Sequence, residues 1–199
     1  MNRQEMRLAE RLEDEFRFFK TWAASPLSMG AVSPSSRAFA RVMVDLAQPD
    51  PQHYTLETGA GTGVVTEVLI ESGIPRDRIV TVEYESDFCR LLERRFPGIN
   101  LIHGDAFDLE RTLGDLRGVQ FGAALSGVPL LTAPKPKRLR YIEDMLGRLV
   151  PGGRMSQLSY SLTPPVPEMP GRFTVEKSKW IKFNLPPGRV WVYRPVAAG

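Results

Sequence analysis

The chain has 199 residues, of which 42% are hydrophobic and 25% charged, a balance that fits a soluble globular protein with one sizeable core and excludes a fibrous or disordered chain. No apolar run reaches the roughly 18 residues needed to span a bilayer, and the charged start from Arg3 lacks a signal-peptide core, so a cytoplasmic location is expected. The net charge of +3 hides a division: residues 131–199 carry twelve Lys or Arg against four Asp or Glu, whereas residues 1–130 carry fourteen against nineteen, and a basic C-terminal third points to an anionic partner, lipid phosphate or nucleic acid.

Residues 4–24 read as a helix, with Leu8, Leu12, Phe16, Phe19 and Ala23 on one stripe and Pro26 and Gly30 ending it. A second helix is predicted over Ser36 to Ala47. Strand and helix then alternate. Strands are predicted at Tyr54–Leu56, Arg78–Val82, Asn100–Ile102, Phe121–Leu125 and Arg154–Ser159, with helices at Val64–Ser72, Asp87–Phe96 and Lys137–Leu149. Such alternation implies parallel βαβ units with right-handed crossovers. After the proline-rich stretch 163–170, two β-rich segments, Phe173–Phe183 and Arg189–Tyr193, flank the turn Leu185-Pro186-Pro187-Gly188. With no helix between them, they are expected to form an antiparallel pair at the sheet edge.

The one cysteine, Cys89, excludes an intrachain disulfide and lies among Phe88, Leu91 and Leu92, where a thiol packs as a small apolar group. Two histidines, His53 and His103, are too few and too far apart to suggest zinc, so no metal is expected.

The strongest local signal is Glu57-Thr58-Gly59-Ala60-Gly61-Thr62-Gly63, directly after a strand and before a helix. Glycines there permit a tight turn and let backbone approach a ligand closely. The E-x-G-x-G-x-G spacing resembles motif I of S-adenosylmethionine (SAM) methyltransferases, in which the acid faces the methionine end of the cofactor. Three further features stand in the order that resemblance implies. Glu83, with Tyr84 beside it, ends the second strand, where a carboxylate can accept both ribose hydroxyls. Gly104-Asp105-Ala106 follows the third strand, where an Asp commonly meets the adenine amino group. Leu149-Val150-Pro151-Gly152-Gly153 resembles the helix-to-strand turn of the class. Gly59, Gly61, Gly63, Glu57, Glu83, Tyr84, Asp105, Ala106 and Ser126 are the predicted cofactor residues. The expected fold is α/β, a class I Rossmann-like SAM methyltransferase with a mostly parallel doubly wound sheet, a C-terminal antiparallel hairpin and N-terminal amphipathic helices.

Ser126-Gly127-Val128-Pro129-Leu130 falls just past the fourth strand, where the transferred methyl group should emerge. Methyltransferases acting on adenine usually carry Asn or Asp followed by an aromatic there. Ser126 and Leu130 replace both, removing a stacking ring worth roughly 1 to 3 kcal/mol.

Over its whole length the chain resembles the small bacterial phospholipid N-methyltransferases that are themselves related to rRNA adenine dimethylases. The stretches that carry the resemblance are Phe16-Arg17-Phe18-Phe19-Lys20, Gly30-Ala31-Val32-Ser33-Pro34-Ser35-Ser36, the glycine turn with Val64-Val65-Thr66, Val82-Glu83-Tyr84, Gly104-Asp105-Ala106, Ser126 to Leu130, and Gln157-Leu158-Ser159-Tyr160. Thr58-Gly59-Ala60 departs from it, since a bulkier apolar residue and often proline is usual there. The resemblance implies stepwise methylation of phosphatidylethanolamine toward phosphatidylcholine at an anionic membrane surface, with S-adenosylhomocysteine as by-product and the protein peripheral on the cytoplasmic face.

Under that reading, residues 1–48 form a helical interface or substrate lid, and 49–199 the SAM-binding core with its basic hairpin. Leu8, Leu12, Phe16, Phe19 and Trp22 would meet the membrane, although an amphipathic stripe of this kind equally packs on a core. Tyr160 is the first candidate to hold the amine, by hydroxyl or ring face, with Ser126 and the Gly127 carbonyl orienting the lone pair. Arg37, Arg41, Pro129, Lys179 and Trp180 are candidates for the lipid headgroup, though basic and aromatic residues alternating on exposed strands give the same pattern without function. Two competing readings remain: an RNA adenine N6-methyltransferase, against which Ser126, Leu130 and the missing helical RNA-binding domain argue, and a membrane-associated SAM-binding protein without turnover.

Overall fold

The computed structural model describes residues 34–181 and 188–196. The predicted helix over 4–24, with its stripe Leu8, Leu12, Phe16, Phe19 and Trp22, lies outside them. The described elements in chain order are α1 (Pro34–Ala47), β1 (Tyr54–Thr58), α2 (Val64–Glu71), β2 (Ile79–Glu83), α3 (Ser86–Arg95), β3 (Asn100–His103), α4 (Leu109–Thr112), β4 (Phe121–Ser126), α5 (Lys135–Gly147), β5 (Leu149–Ser159), β6 (Phe173–Lys177) and β7 (Arg189–Pro195).

Among the described residues seven strands form one sheet in the order β3-β2-β1-β4-β5-β7-β6. β1 to β5 are parallel, and β7 runs antiparallel to both β5 and β6. The sheet reverses direction beside β1, where β2 and β4 flank it. In doubly wound sheets that reversal opens a crevice at the carboxyl ends of the strands. Every residue of β2 is buried, as expected for a parallel strand covered on both faces.

Period-2 alternation sends side chains to two cores. On one face α1 and α2 bury Phe39, Met43, Val68 and Leu69 against Ile79, Ala123, Leu125 and Val190. On the other, α5 buries Tyr141, Ile142 and Met145 against Leu56, Val80, Phe121, Met155 and Tyr193. Residues 39–47 therefore pack into the same core as the sheet.

Four local features differ from the sequence reading. α4 is a one-turn helix between β3 and β4, capped by the Asp108 carboxylate on the Arg111 amide; one turn is too short to leave a periodic signature. α5 begins and ends two residues earlier than predicted, its first turn containing Pro136, since proline suits a position whose N–H has no intrahelical acceptor. β5 starts at Leu149, because a bulge at Pro151–Gly153, with Gly152 at φ +83°, lets Leu149 pair with Phe121 before Arg154 resumes register with Ala123. β6 stops at Lys177, short of the predicted span, whose last two residues, 182 and 183, lie outside the described ones: the Ser178 hydroxyl accepts the Val190 amide and takes the place of a ladder carbonyl. The hairpin pairing at the sheet edge is present, with β7 rather than β6 as the strand joined to β5.

Candidate active site

The glycine turn leaves the buried strand β1 and enters α2, and its shape is fixed by what a side chain would strike. Gly59 (φ +67°) lies against the loop after β4, where an added Cβ would be 3.1 Å from the Val128 amide nitrogen. On the facing side, a Cβ on Gly127 would come 2.6 Å from the Gly59 carbonyl oxygen. Gly63 (φ +84°) sits over α3, where a Cβ would be 2.4 Å from Phe96 Cε2 and 2.6 Å from Leu92 Cδ2. The two loops are further joined by the Gly127 amide donating to the Thr58 carbonyl at 2.9 Å. The result is a narrow backbone cradle at the carboxyl ends of β1 and β4.

Two carboxylates flank this cradle. Glu83 is 5% exposed; one oxygen accepts the Gly61 amide at 2.7 Å and the other accepts the amides of Tyr84 and Glu85. A carboxylate offers about four acceptor sites, so capacity for a ligand hydroxyl remains. Glu57 is 2% exposed, and one oxygen accepts the hydroxyls of Thr66 and Thr81. Its other oxygen is buried with no hydrogen-bond partner. Burial pushes the Glu57 carboxyl up to about 7, against the Thr66 and Thr81 hydroxyls and the Thr66 backbone amide, which favour its charge. An unmade hydrogen bond on a buried group costs about 1–3 kcal/mol, which marks Glu57 as a group waiting for a cation or donor.

Past β3, one Asp105 oxygen accepts the Phe107 amide at 2.8 Å, which fixes its rotamer, and Ala106 is buried behind it. Tyr84 is 68% exposed beside Glu83, an unusual position for so large a ring.

Past β4, the Ser126 hydroxyl is buried and bonded to the Tyr141 hydroxyl at 2.7 Å, which in turn lies 2.6 Å from Thr58 Oγ1. Burial pushes the Tyr141 phenol up to about 12, so it stays neutral and ties β1 and β4 to α5. Gln157 on β5 donates to the Val128 carbonyl at 2.9 Å and steadies the same loop. Pro129 opens a turn whose Leu130 is buried in the core. An apolar core side chain thus stands where adenine methyltransferases usually carry a stacking ring.

The predicted acceptor residues do not form a single group. Tyr160 packs edge-on to Phe39 of α1, with ring centroids 6.0 Å apart, on the α1 face of the sheet, whereas Ser126 points to α5. Arg37 pairs with Glu67 and Glu71 of α2, so its guanidinium ties α1 to α2. Arg41, one turn on, is exposed. Lys179 is exposed, and Trp180 carries the Arg189 guanidinium 4.0 Å above its ring. Tyr141 and Gln157 were not singled out as site residues by sequence, whereas Arg189 belongs to the basic tail already read as able to track phosphates. Gln157 stands in the Gln-Leu-Ser-Tyr stretch, while Tyr141 looks in sequence like any core tyrosine on a helix. Among the described residues no cluster of His, Cys, Asp or Glu suited to a metal ion is present.

Fold and cradle define the class of architecture: the class I Rossmann-like fold of SAM-dependent methyltransferases. Its solved neighbours share that fold. TrmN from Thermus thermophilus matches with a TM-score of 0.63 at 19% identity, covering 86% of this chain and 53% of that one. A TehB-like SAM-dependent methyltransferase from Corynebacterium glutamicum matches with a TM-score of 0.57 at 14% identity, covering 94% of this chain and all of that one. No family model matches the sequence. In sequence, the chain is 28% identical over 152 residues to the ornithine lipid N-methyltransferase of Singulisphaera acidiphila, covering 74% of this chain and 79% of that protein. A shorter stretch of 63 residues is 41% identical to the ribosomal RNA small subunit methyltransferase A of a Synechococcus species, covering 29% of this chain and 22% of that protein.

SAM fits the residues present. The orphaned Glu57 oxygen suits a cationic amino group, and Glu83 retains acceptor capacity for a ribose hydroxyl.

Proposed function

We propose that this chain is a SAM-dependent N-methyltransferase that acts on the primary amine of an aminolipid, phosphatidylethanolamine and its mono- and dimethyl derivatives, at the cytoplasmic face of a membrane. The observation that carries this reading is the loop after β4: it has the methyl-transfer position of the fold but neither the amide nor the ring that would hold a nucleobase. The similarity to a lipid N-methyltransferase over three quarters of the chain supports the same substrate class and favours an ornithine lipid as a second acceptor to test. Among the described residues no helix is long and apolar enough to cross a membrane, which is compatible with peripheral attachment.

When bound, SAM supplies an electrophilic methyl group on a sulfonium. The protein's part is positioning and control of protonation. An alkylammonium has a pKa of roughly 10, so presenting it neutral at pH 7 costs about 4 kcal/mol. Desolvation beside the Tyr160 ring offsets part of that cost by disfavouring the charged amine. An aromatic face tolerates successive methyl groups through cation–π attraction. Ser126, locked by Tyr141, holds the Gly127–Pro129 backbone in place, and the Gly127 carbonyl orients the amine proton.

The test uses methyl-labelled SAM and purified protein with vesicles of phosphatidylethanolamine plus an anionic lipid, parallel vesicles of ornithine lipid, and a parallel tube of RNA. Label in N-methylated lipid is the expected result. Label in RNA alone would overturn the reading, and SAM binding without label in any tube would favour a binder without turnover.

A further inference from the structure

A second polar feature lies on the α5 face of the sheet, beyond the cradle. β5 and β7 pair Gln157 with Trp191 and Ser159 with Arg189, and alternation puts these side chains on the same face as the core pair Met155 and Tyr193. Arg189 is 7% exposed as a residue, and its Nε is fully buried. Among the described residues no carboxylate pairs with it; it rests on aromatic rings, 4.0 Å from the Trp180 centroid and 5.4 Å from that of Trp191.

Three polar atoms here are buried without a hydrogen-bond partner: Arg189 Nε, Trp191 Nε1 and Gln157 Oε1. Two are donors and one belongs to a permanent cation. Buried charges in proteins are normally paired, and buried donors are normally satisfied, so a cluster that is neither is arranged for something not made by the chain itself. Guanidinium forks match the planar or tetrahedral oxygens of carboxylates and phosphates, and aromatic faces hold the fork in place. Gln157 links this cluster to the methyl-transfer loop, since its amide nitrogen is bound to the Val128 carbonyl.

We infer that Arg189, with Trp191 and the platform of Trp180, forms a subsite for the anionic oxygens of the acceptor headgroup, a phosphodiester or a carboxylate, holding the acceptor by its negative end while its amine reaches the cradle. This inference deepens the proposed lipid reading and rests on it for the identity of the ligand. It also gives Trp180 a role other than direct contact with the headgroup: it positions the arginine.

The experiment uses the full-length chain, Arg189→Gln and Arg189→Lys. Tryptophan fluorescence is followed on titration with glycerophosphoethanolamine, ornithine and inorganic phosphate, since two tryptophans contact the guanidinium. SAM affinity and thermal midpoint are measured on the same samples. The expected result is saturable quenching in the native protein, weakened at least tenfold in Arg189→Gln and partly restored in Arg189→Lys, with SAM affinity within twofold. The midpoint of Arg189→Gln should equal or exceed that of the native protein, because an unpaired buried charge has been removed. On vesicles, acceptor KM should rise at least tenfold with kcat within threefold. Preference for glycerophosphoethanolamine assigns a phosphodiester, preference for ornithine a carboxylate, and equal response to inorganic phosphate a generic anion site; each supports the subsite. Unchanged quenching in Arg189→Gln, or a lowered midpoint with lost SAM binding, overturns it in favour of a structural arginine. If quenching depends on Arg189 but no lipid is methylated, the subsite stands and the lipid reading falls.

Discussion

Glu57 offers a measurable link between folding, pH and cofactor binding. Its carboxyl stands at about 7 in the folded protein against an ordinary 4.5, so between those values the native state holds a proton that the unfolded chain has released. Stability then falls as pH rises through that window and is lowest above it. The displacement is about 2.5 units, which corresponds to about 3 kcal/mol. Replacement by glutamine keeps the shape and removes the titration. Urea unfolding at intervals from about pH 3.5 to about 8 should show the native protein losing about 3 kcal/mol relative to Glu57→Gln, with the curves parallel outside the window. Calorimetric titration with SAM should show the complementary trend. A cofactor ammonium favours the ionised carboxylate, so affinity should climb with pH up to about 7 and then level, with proton release on binding. Glu57→Gln should bind more weakly at pH 8 and without that slope. A pH profile identical in both proteins would refute the account of Glu57 as a buried, uncompensated acid.

Tyr160→Ala should lower kcat on vesicles by at least tenfold while leaving SAM affinity within twofold; unchanged turnover would remove Tyr160 from the amine site. Tyr141→Phe strands the Thr58 and Ser126 hydroxyls in a buried setting and should cost about 1–3 kcal/mol in urea unfolding, with acceptor KM moving less than stability. Gly63→Ala combines a left-handed φ with contacts below 3 Å to Leu92 and Phe96, and should lower stability by about 2–3 kcal/mol as well as weaken SAM binding.

The sheet and its cofactor end were legible because they rest on local rules. The apolar runs at Leu56, Ile79–Val82 and Phe121–Leu125 announce buried parallel strands, and glycines at positive φ announce turns wherever they fall. The acceptor side was less legible for a physical reason. Whether Arg37 meets a phosphate or a carboxylate depends on Glu67 and Glu71, thirty or more residues away, and nothing in its neighbourhood in sequence reports them. The same holds for Arg189, whose burial follows from β7 inserting beside β5. Propensity also cannot register Ser178, where one hydroxyl replaces a strand carbonyl and ends β6 early. Tyr141 was hidden because its ring obeys the core pattern while its hydroxyl serves the site.

The placement of β7 has a consequence for biosynthesis. β7 follows β6 in the chain yet lies inside it, so β6 has no neighbour until residues 189–195 leave the ribosome. During that interval the free side of β5 presents an unpaired edge that includes Met155 and Gln157, the type of surface through which nascent chains associate. Closing it requires Met155 to Ser159 to pair with Arg189 to Tyr193, which can happen only once β7 has been made. Chains stalled within the hairpin should therefore be the species most dependent on chaperones, and they would lack the Arg189 cluster altogether.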